Sequence, residues 1–268
     1  MTSVKLDQRD VRSDASHTIG GTVMSDIVRA LEVLRTGRIV DLTHTVHTEI
    51  PRFGPFPKMT LETLYTVPES GFHVERVSFV TQYGTHLDAP EHFVENRRRL
   101  DAIDLDELML PLYVLHFEKE VAENPDFIVT PEHLAEWEAR NGRIPEGAFV
   151  AFASNWSKRW ASGDMTNKDA DGVAHSPGWG LDTLKILFED RKVTAIGHEM
   201  LDTDASSDVI RRGFLDCEKY VLDTDHYQVE LMCNLDQLPE TGGVIFVGVP
   251  KFKDLPGFPV RAWAIVPQ

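Results

Sequence analysis

The chain has 268 residues, room for one large domain or two small ones around a sizeable buried core. Hydrophobic residues make up 42% and charged residues 26%, an ordinary globular balance that excludes disorder or a fibrous repeat as the overall state. Lys plus Arg total 27 against 43 Asp plus Glu, and the formal net charge of -16 repels phosphate backbones and anionic lipid, so neither nucleic acid nor membrane is expected as a partner.

The first 20 residues are polar and without periodicity and read as a flexible N-terminal arm, with residues 21–268 expected to form a single domain. The arm lacks the apolar segment of a secretory signal, so a cytoplasmic protein is expected. Ser25 has the character of a helix cap; Ile27, Val28, Ala30, Leu31, Val33 and Leu34 supply an apolar face, and Gly37 ends the helix. RIVDLTHTV (38–46) reads as a strand. PRFGPFPK (51–58), with three prolines and a glycine, is a loop that must place its aromatic side chains. Residues 73–93 begin as an alternating strand and break at Gly84 and Pro90. PLYVLHF (111–117) is a strand, and PEHLAEWEAR (131–140) a short helix with proline in its first turn.

AFVAFASNW (148–156) is a continuous apolar run, as in a central strand buried on both faces. The polar stretch 157–179 is too long for an ordinary connection. A helix is predicted over 181–190, and strands over 193–201, 227–235, 242–250 and 260–267. Cys217 and Cys233 are too few for a disulfide scaffold and read as reduced, buried thiols.

Ligand-type side chains are densest at Gln82, His86, Asp88 and His92, within TQYGTHLDAPEHF. Strand alternation puts His86 and Asp88 on one face about 6–7 Å apart, near enough to share a cation. The same alternation brings Gln82 to that face, and the turn forced by Pro90 can fold His92 back over it. An imidazole, a carboxylate and an amide oxygen suit zinc or manganese, which would lower the pKa of a bound water. His44 and His47, three apart on a strand, face opposite ways and read as structural. Phe53 and Phe93 are candidates to wall a pocket for a flat ring, with core packing the alternative, which fits Phe56 better. No nucleophile elbow, Walker loop or GxGxxG run is present, so covalent and nucleotide chemistry are not expected.

The segment QYGTHLDAPEHF closely resembles the HxGTHxDxPxHF signature of the cyclase-like metal hydrolases, a family that includes kynurenine formamidase, isatin hydrolase and trans-dienelactone hydrolase. DLTHTVHTEIPRF, GHEMLDTDASS (197–207) and the stretch from NLDQLPETGG to the end are similar to the same family. The resemblance implies an α/β chain with a swivelling β/β/α fold, assembled as a homodimer or homotetramer, with a divalent metal at the motif. It makes His86 and Asp88 metal ligands and His92 the general acid and base. Gln82 stands where formamidases and isatin hydrolases have a first ligating histidine, which is closer to the dienelactone branch. Formamidases also carry a His and, twelve residues on, a Glu that hold a second metal; here those positions are Glu218 and Glu230. One divalent metal per chain, Zn2+ or Mn2+, is therefore expected, with Gln228 completing its sphere as a glutamine does in single-metal members. His226, two residues from Gln228, is a further candidate for contact with substrate.

With the resemblance, these residues imply a metal-dependent hydrolase that opens a small cyclic ester or amide, a dienelactone- or isatin-type ring, to a carboxylate, with Gln82 favouring the lactone. Aryl formamide hydrolysis is the alternative within the family, and a non-catalytic metal or small-molecule binder the alternative outside it.

Overall fold

A computed structural model describes residues 25–268; the expected arm at 1–20, and the boundary after it, lie outside the described residues. The segment up to Gly37 is one unit and Arg38–Gln268 another. In the first, helix α1 (Asp26–Thr36) starts where Ser25 Oγ accepts a hydrogen bond from the Val28 amide and stops at Gly37. Its apolar face is real but buries none of its side chains, and Ile27 and Val33 stand well exposed.

From Arg38 the chain runs through β1 (Arg38–Asp41), β2 (Thr60–Tyr65), α2 (Val67–Ser70), β3 (Val74–Ser78), β4 (His86–Asp88), β5 (Met109–His116), α3 (Glu118–Glu123), β6 (Ile128–Val129), α4 (Pro131–Asn141) and β7 (Phe149–Ala153). It continues through β8 (Gly178–Trp179), α5 (Leu181–Lys185), β9 (Ala195–His198), α6 (Ser206–Arg212), α7 (Asp216–Asp223), β10 (Tyr227–Glu230), β11 (Gly243–Gly248), β12 (Gly257–Pro259) and β13 (Arg261–Val266). Among the described residues nine strands form one mixed sheet, in the order β1-β13-β11-β5-β7-β9-β10-β4-β12. Its centre, β5-β7-β9-β10, is parallel, and the strands on either side are antiparallel. The mixed α/β architecture expected of the resemblance is the one found.

The apolar run at 148–156 becomes β7, every residue of which is buried. Alternation splits it: Phe149, Ala151 and Ala153 join one core, Val150 and Phe152 the other. The second core lies under helices, with Trp137 of α4, Leu184 of α5 and Val221 of α7 packed against the sheet. The first contains no α-helical residue and is closed by strands and short turns alone. Side chains as large and buried as Phe152 and Trp137 dominate such a core, and truncating either to alanine costs about 3–5 kcal/mol.

Several predicted strands are shorter than their apolar runs. The first ends at Asp41, where the Asp41 carboxylate accepts from the Thr43 amide and turns the chain out of the ladder. The run at 227–235 ends at Glu230, because Leu231 takes a positive φ of 51°. The long polar stretch contains a 3₁₀ turn, Trp156–Ser162, and ends in the two-residue strand β8, which pairs β6. The β2–β3 hairpin stands apart from the main sheet and buries none of its side chains. No helix among the described residues is long and apolar enough to cross a membrane.

Candidate metal centre

Sheet register assembles the site. Strand β4 lies between β10 and β12, with His86 opposite Glu230 and Asp88 opposite both Gln228 and Gly257. Leu87 and Val229, the alternate residues, point into the helix-free core. His86, Asp88, Gln228 and Glu230 therefore share the other face, the one α7 covers. Gly257 leaves room there: a Cβ on it would come within 2.5 Å of Gln82 Nε2 and 3.3 Å of Asp88 Oδ1.

The turn before β4 orients the first imidazole. Gly84 has φ +66°, a conformation that favours glycine, and its carbonyl accepts a hydrogen bond from His86 Nδ1 at 2.8 Å. With that proton placed, Nε2 carries the lone pair and faces Asp88 Oδ1 at 3.5 Å and Glu230 Oε2 at 3.6 Å. One ligand atom from each of His86, Asp88 and Glu230 lies within 4.8 Å of the others, and all three residues are buried.

Neighbours hold these carboxylates. Gln228 Nε2 donates to Glu230 Oε1 at 2.9 Å and to Asp88 Oδ2 at 3.3 Å, while its own oxygen accepts from Thr203 Oγ1 at 2.7 Å. Gln82 Nε2 donates to Asp88 Oδ1 at 3.2 Å, and its oxygen accepts from Thr81. Both expected amide ligands are thus turned to orient the carboxylates rather than to offer an oxygen to the same point. Gln82 still lines the cavity, whereas Gln228 is fully buried beneath it.

His92 follows Pro90 in a 3₁₀ turn, and its Nε2 lies 3.9 Å from both Asp88 Oδ1 and Glu218 Oε1. Asp88, His92 and Glu218 form a second group of converging donors that shares Asp88 with the first. Glu218 comes from α7. That helix has no side-chain cap of its own at Leu215. Instead Asp204, from the loop after β9, accepts from the amides of Cys217 and Glu218 at 2.9–3.0 Å and fixes the first turn.

Asp88, Glu218 and Glu230 form no ion pair with a lysine or arginine among the described residues, and Glu218 Oε2 is buried without a hydrogen-bond partner. Burial first, then repulsion from Asp88 and Asp202, joined by Asp204 for Glu218 and preceded by Glu218 for Glu230, pushes the Glu218 and Glu230 carboxyls well above the usual carboxylate range. Imidazole and carboxylate oxygens around a buried, uncompensated negative charge fit a divalent cation.

The donors open onto a cavity of about 240 Å³. Gln82, His86, His92, Glu218 and Glu230 line its floor, and Phe53, Phe56, Phe93, Leu201, Leu215 and Leu231 its apolar walls. Phe53 meets Phe56 edge to face at 5.2 Å, and Phe93 packs edge-on to His92 at 5.0 Å. Phe53 and Phe93, read as candidate pocket walls, line this cavity, and so does Phe56, read as core. His226 does not reach the cavity. It precedes β10, about 13 Å along the strand direction from Glu230, with its ring stacked on Phe188 at 4.2 Å and Nδ1 against the Thr194 carbonyl. His44 stacks on Trp160, and neither His44 nor His47 lines the cavity. Sequence reasoning left Arg52, Asp202 and Leu215 out of the site; all three line it.

The family model described as "Putative cyclase" matches residues 40–205. Isatin hydrolase from Roseibium aggregatum is 31% identical over 192 residues, covering 69% of this chain and 72% of that protein. Among solved structures, isatin hydrolase A from Labrenzia aggregata, bound to benzyl benzoate, has a TM-score of 0.83 at 32% identity, over 91% of this chain and 100% of that one. An isatin hydrolase bound to the product analogue thioisatinate has a TM-score of 0.82 at 26% identity, over 91% of this chain and 100% of that one. With 166 of its 268 residues inside the family match, the chain belongs to the cyclase family and is a hydrolase of it.

Proposed function

We propose that this chain hydrolyses a small, flat cyclic amide of the isatin type to a ring-opened carboxylate, using one zinc or manganese ion per chain. The observation that carries this reading is the convergence of His86 Nε2, Asp88 and Glu230 beneath an aromatic-walled cavity that also holds His92. In this proposal His86, Asp88 and Glu230 hold the cation, Gln82 and Gln228 orient the carboxylates, and Phe53, Phe56 and Phe93 bind the ring. A bound divalent cation supplies Lewis-acid polarisation of a carbonyl and a lowered pKa for water. His92, at the edge of the donors and open to the cavity, removes a proton from the attacking water as its oxygen adds to the amide carbon. The same imidazolium returns that proton to the nitrogen as the C–N bond breaks, leaving an aryl amine and a carboxylic acid whose remaining proton passes to solvent to give the carboxylate. The enzyme is proposed to work in the cytoplasm as a homodimer or homotetramer.

The test is turnover of isatin, a dienelactone and N-formylkynurenine, followed by absorbance, with metal content measured on the same samples. Isatin opening with about one metal per chain is expected. A second reading has one specific observation in its favour, the additional donor group Asp88, His92 and Glu218. Two metals per chain with preference for the aryl formamide would establish that reading in place of the first.

A further inference from the structure

The inference rests on the ring-opening reading and concerns the charge that reaction creates. A neutral ring enters the cavity and a carboxylate leaves it. With the cation bound, Asp88 and Glu230 offset its charge and Asp202 and Glu218 add acid to the lining, so no net positive charge is left at the floor to retain the released anion. The lining also holds Arg52, its only lysine or arginine.

Arg52 is held in a particular way. Its Nε donates to the Phe56 carbonyl at 2.9 Å, closing the 52–56 loop over the guanidinium stem. Neither terminal amino group has a hydrogen-bond or ion-pair partner among the described residues. The carboxylate of Glu49, near enough to feel its charge, is taken by Lys58 at 2.5 Å. An arginine with a fixed stem and a free planar fork is prepared for bidentate binding of a carboxylate, at low cost in side-chain entropy.

We propose that Arg52 is the anion subsite of the cavity. Its two terminal amino groups take the carboxylate produced by ring opening, while the aryl ring stays against Phe53 and Phe56. The ligand class is an aryl carboxylate bearing a neighbouring carbonyl or amine. Recognition falls on the product and much less on the neutral substrate, so Arg52 sets product retention and the sensitivity of the enzyme to product inhibition.

The test is calorimetric titration of the metal-loaded protein with benzoylformate and with its neutral amide, benzoylformamide, for wild type, Arg52→Gln and Arg52→Lys. Loss of a charge-assisted bidentate contact weakens benzoylformate binding about tenfold to hundredfold in Arg52→Gln and less in Arg52→Lys. Benzoylformamide binding is expected to change less than about threefold, the loss being confined to the charged contact. Added salt weakens benzoylformate binding to wild type but not to Arg52→Gln, a reading that a merely loosened loop would not give. Equal benzoylformate affinity in wild type and Arg52→Gln, or no binding to wild type, overturns the subsite. If Arg52→Gln loses benzoylformate binding while the wild type opens no cyclic amide, the subsite stands and the ring-opening reading falls.

Discussion

The floor and the rim of the cavity are built by opposite means. His86, Asp88, Glu218 and Glu230 are each 4% exposed or less and come from packed strands and a helix whose register fixes them. Phe53 is 54% exposed and sits, with Arg52 and Phe56, on a proline-rich loop outside the sheet. A floor of this kind tolerates little: Gln82 and Gln228 hold Asp88, Gln228 also holds Glu230, and a shift in one strand moves the others. The rim has freedom to change its side chains without disturbing the floor. Chemistry and selectivity are therefore separable here, and mutations at the two places should fail in different ways.

The largest effect is expected at the floor. His86→Ala or Asp88→Ala removes a donor around which the other carboxylates are arranged, and both metal content and turnover should fall together, turnover by more than about 10³-fold. Plasma mass spectrometry and kcat/KM on the same preparations check this. Activity retained in metal-free His86→Ala protein would break the comparison, since the floor would then not carry the chemistry. Next comes His92→Ala. It should lower kcat by about 10²–10⁴-fold while leaving most of the metal in place, because His92 sits at the edge of the buried donors rather than among them. Loss of metal in His92→Ala would move His92 into the ligand set with Glu218 and favour the two-metal arrangement.

The uneven legibility of the two regions in sequence has a physical origin. His86, Asp88 and His92 fall within seven residues, and strand alternation followed by a proline turn is a local rule, so their meeting could be read directly. Glu230 meets His86 only through the antiparallel register of β4 with β10, a pairing of segments far apart in the chain. Alternation recruited His226, two residues before Gln228. It carries no information on where a strand starts, and β10 starts at Tyr227. Helix α7 was not predicted because its N-terminal amides are satisfied by Asp204 from another loop, leaving no local capping residue to read. The mixed α/β architecture was legible from the apolar runs, whereas the order of strands in the sheet was not. Arg52 escaped notice because a lone arginine in a loop carries no pattern; only the cavity gives it one.

At the rim the expected changes are smaller and differently signed. Phe53→Ala should raise KM for a flat aromatic ring by about tenfold, the scale of a lost apolar wall, with kcat and metal content nearly unchanged. A matching fall in kcat would mean that Phe53 positions the ring for attack, and the separation of floor from rim would then be incomplete.

The smallest effect, on stability, sharpens the comparison from the floor side. Burial first, and repulsion from Asp204 and Asp88 after it, raise the Asp202 carboxyl to about 6. Between the usual aspartate value of 3.8 and about 6, the folded metal-free protein holds a proton that the unfolded chain has released. Folding is then favoured at the acid end of that window, and stability is lost as pH rises through it. Asp202→Asn cannot titrate. Its melting temperature, measured in chelator, should therefore gain on wild type from about pH 4 to about pH 6 and level off above. A difference that stays flat across this range would show that Asp202 is solvated in the folded protein. With the cation bound, the gain should shrink, because the ion offsets the negative charge that raises the carboxyl, and its affinity rises as the floor carboxylates deprotonate. The rim contains no group placed to produce that coupling, so a Phe53→Ala protein should keep the wild-type profile.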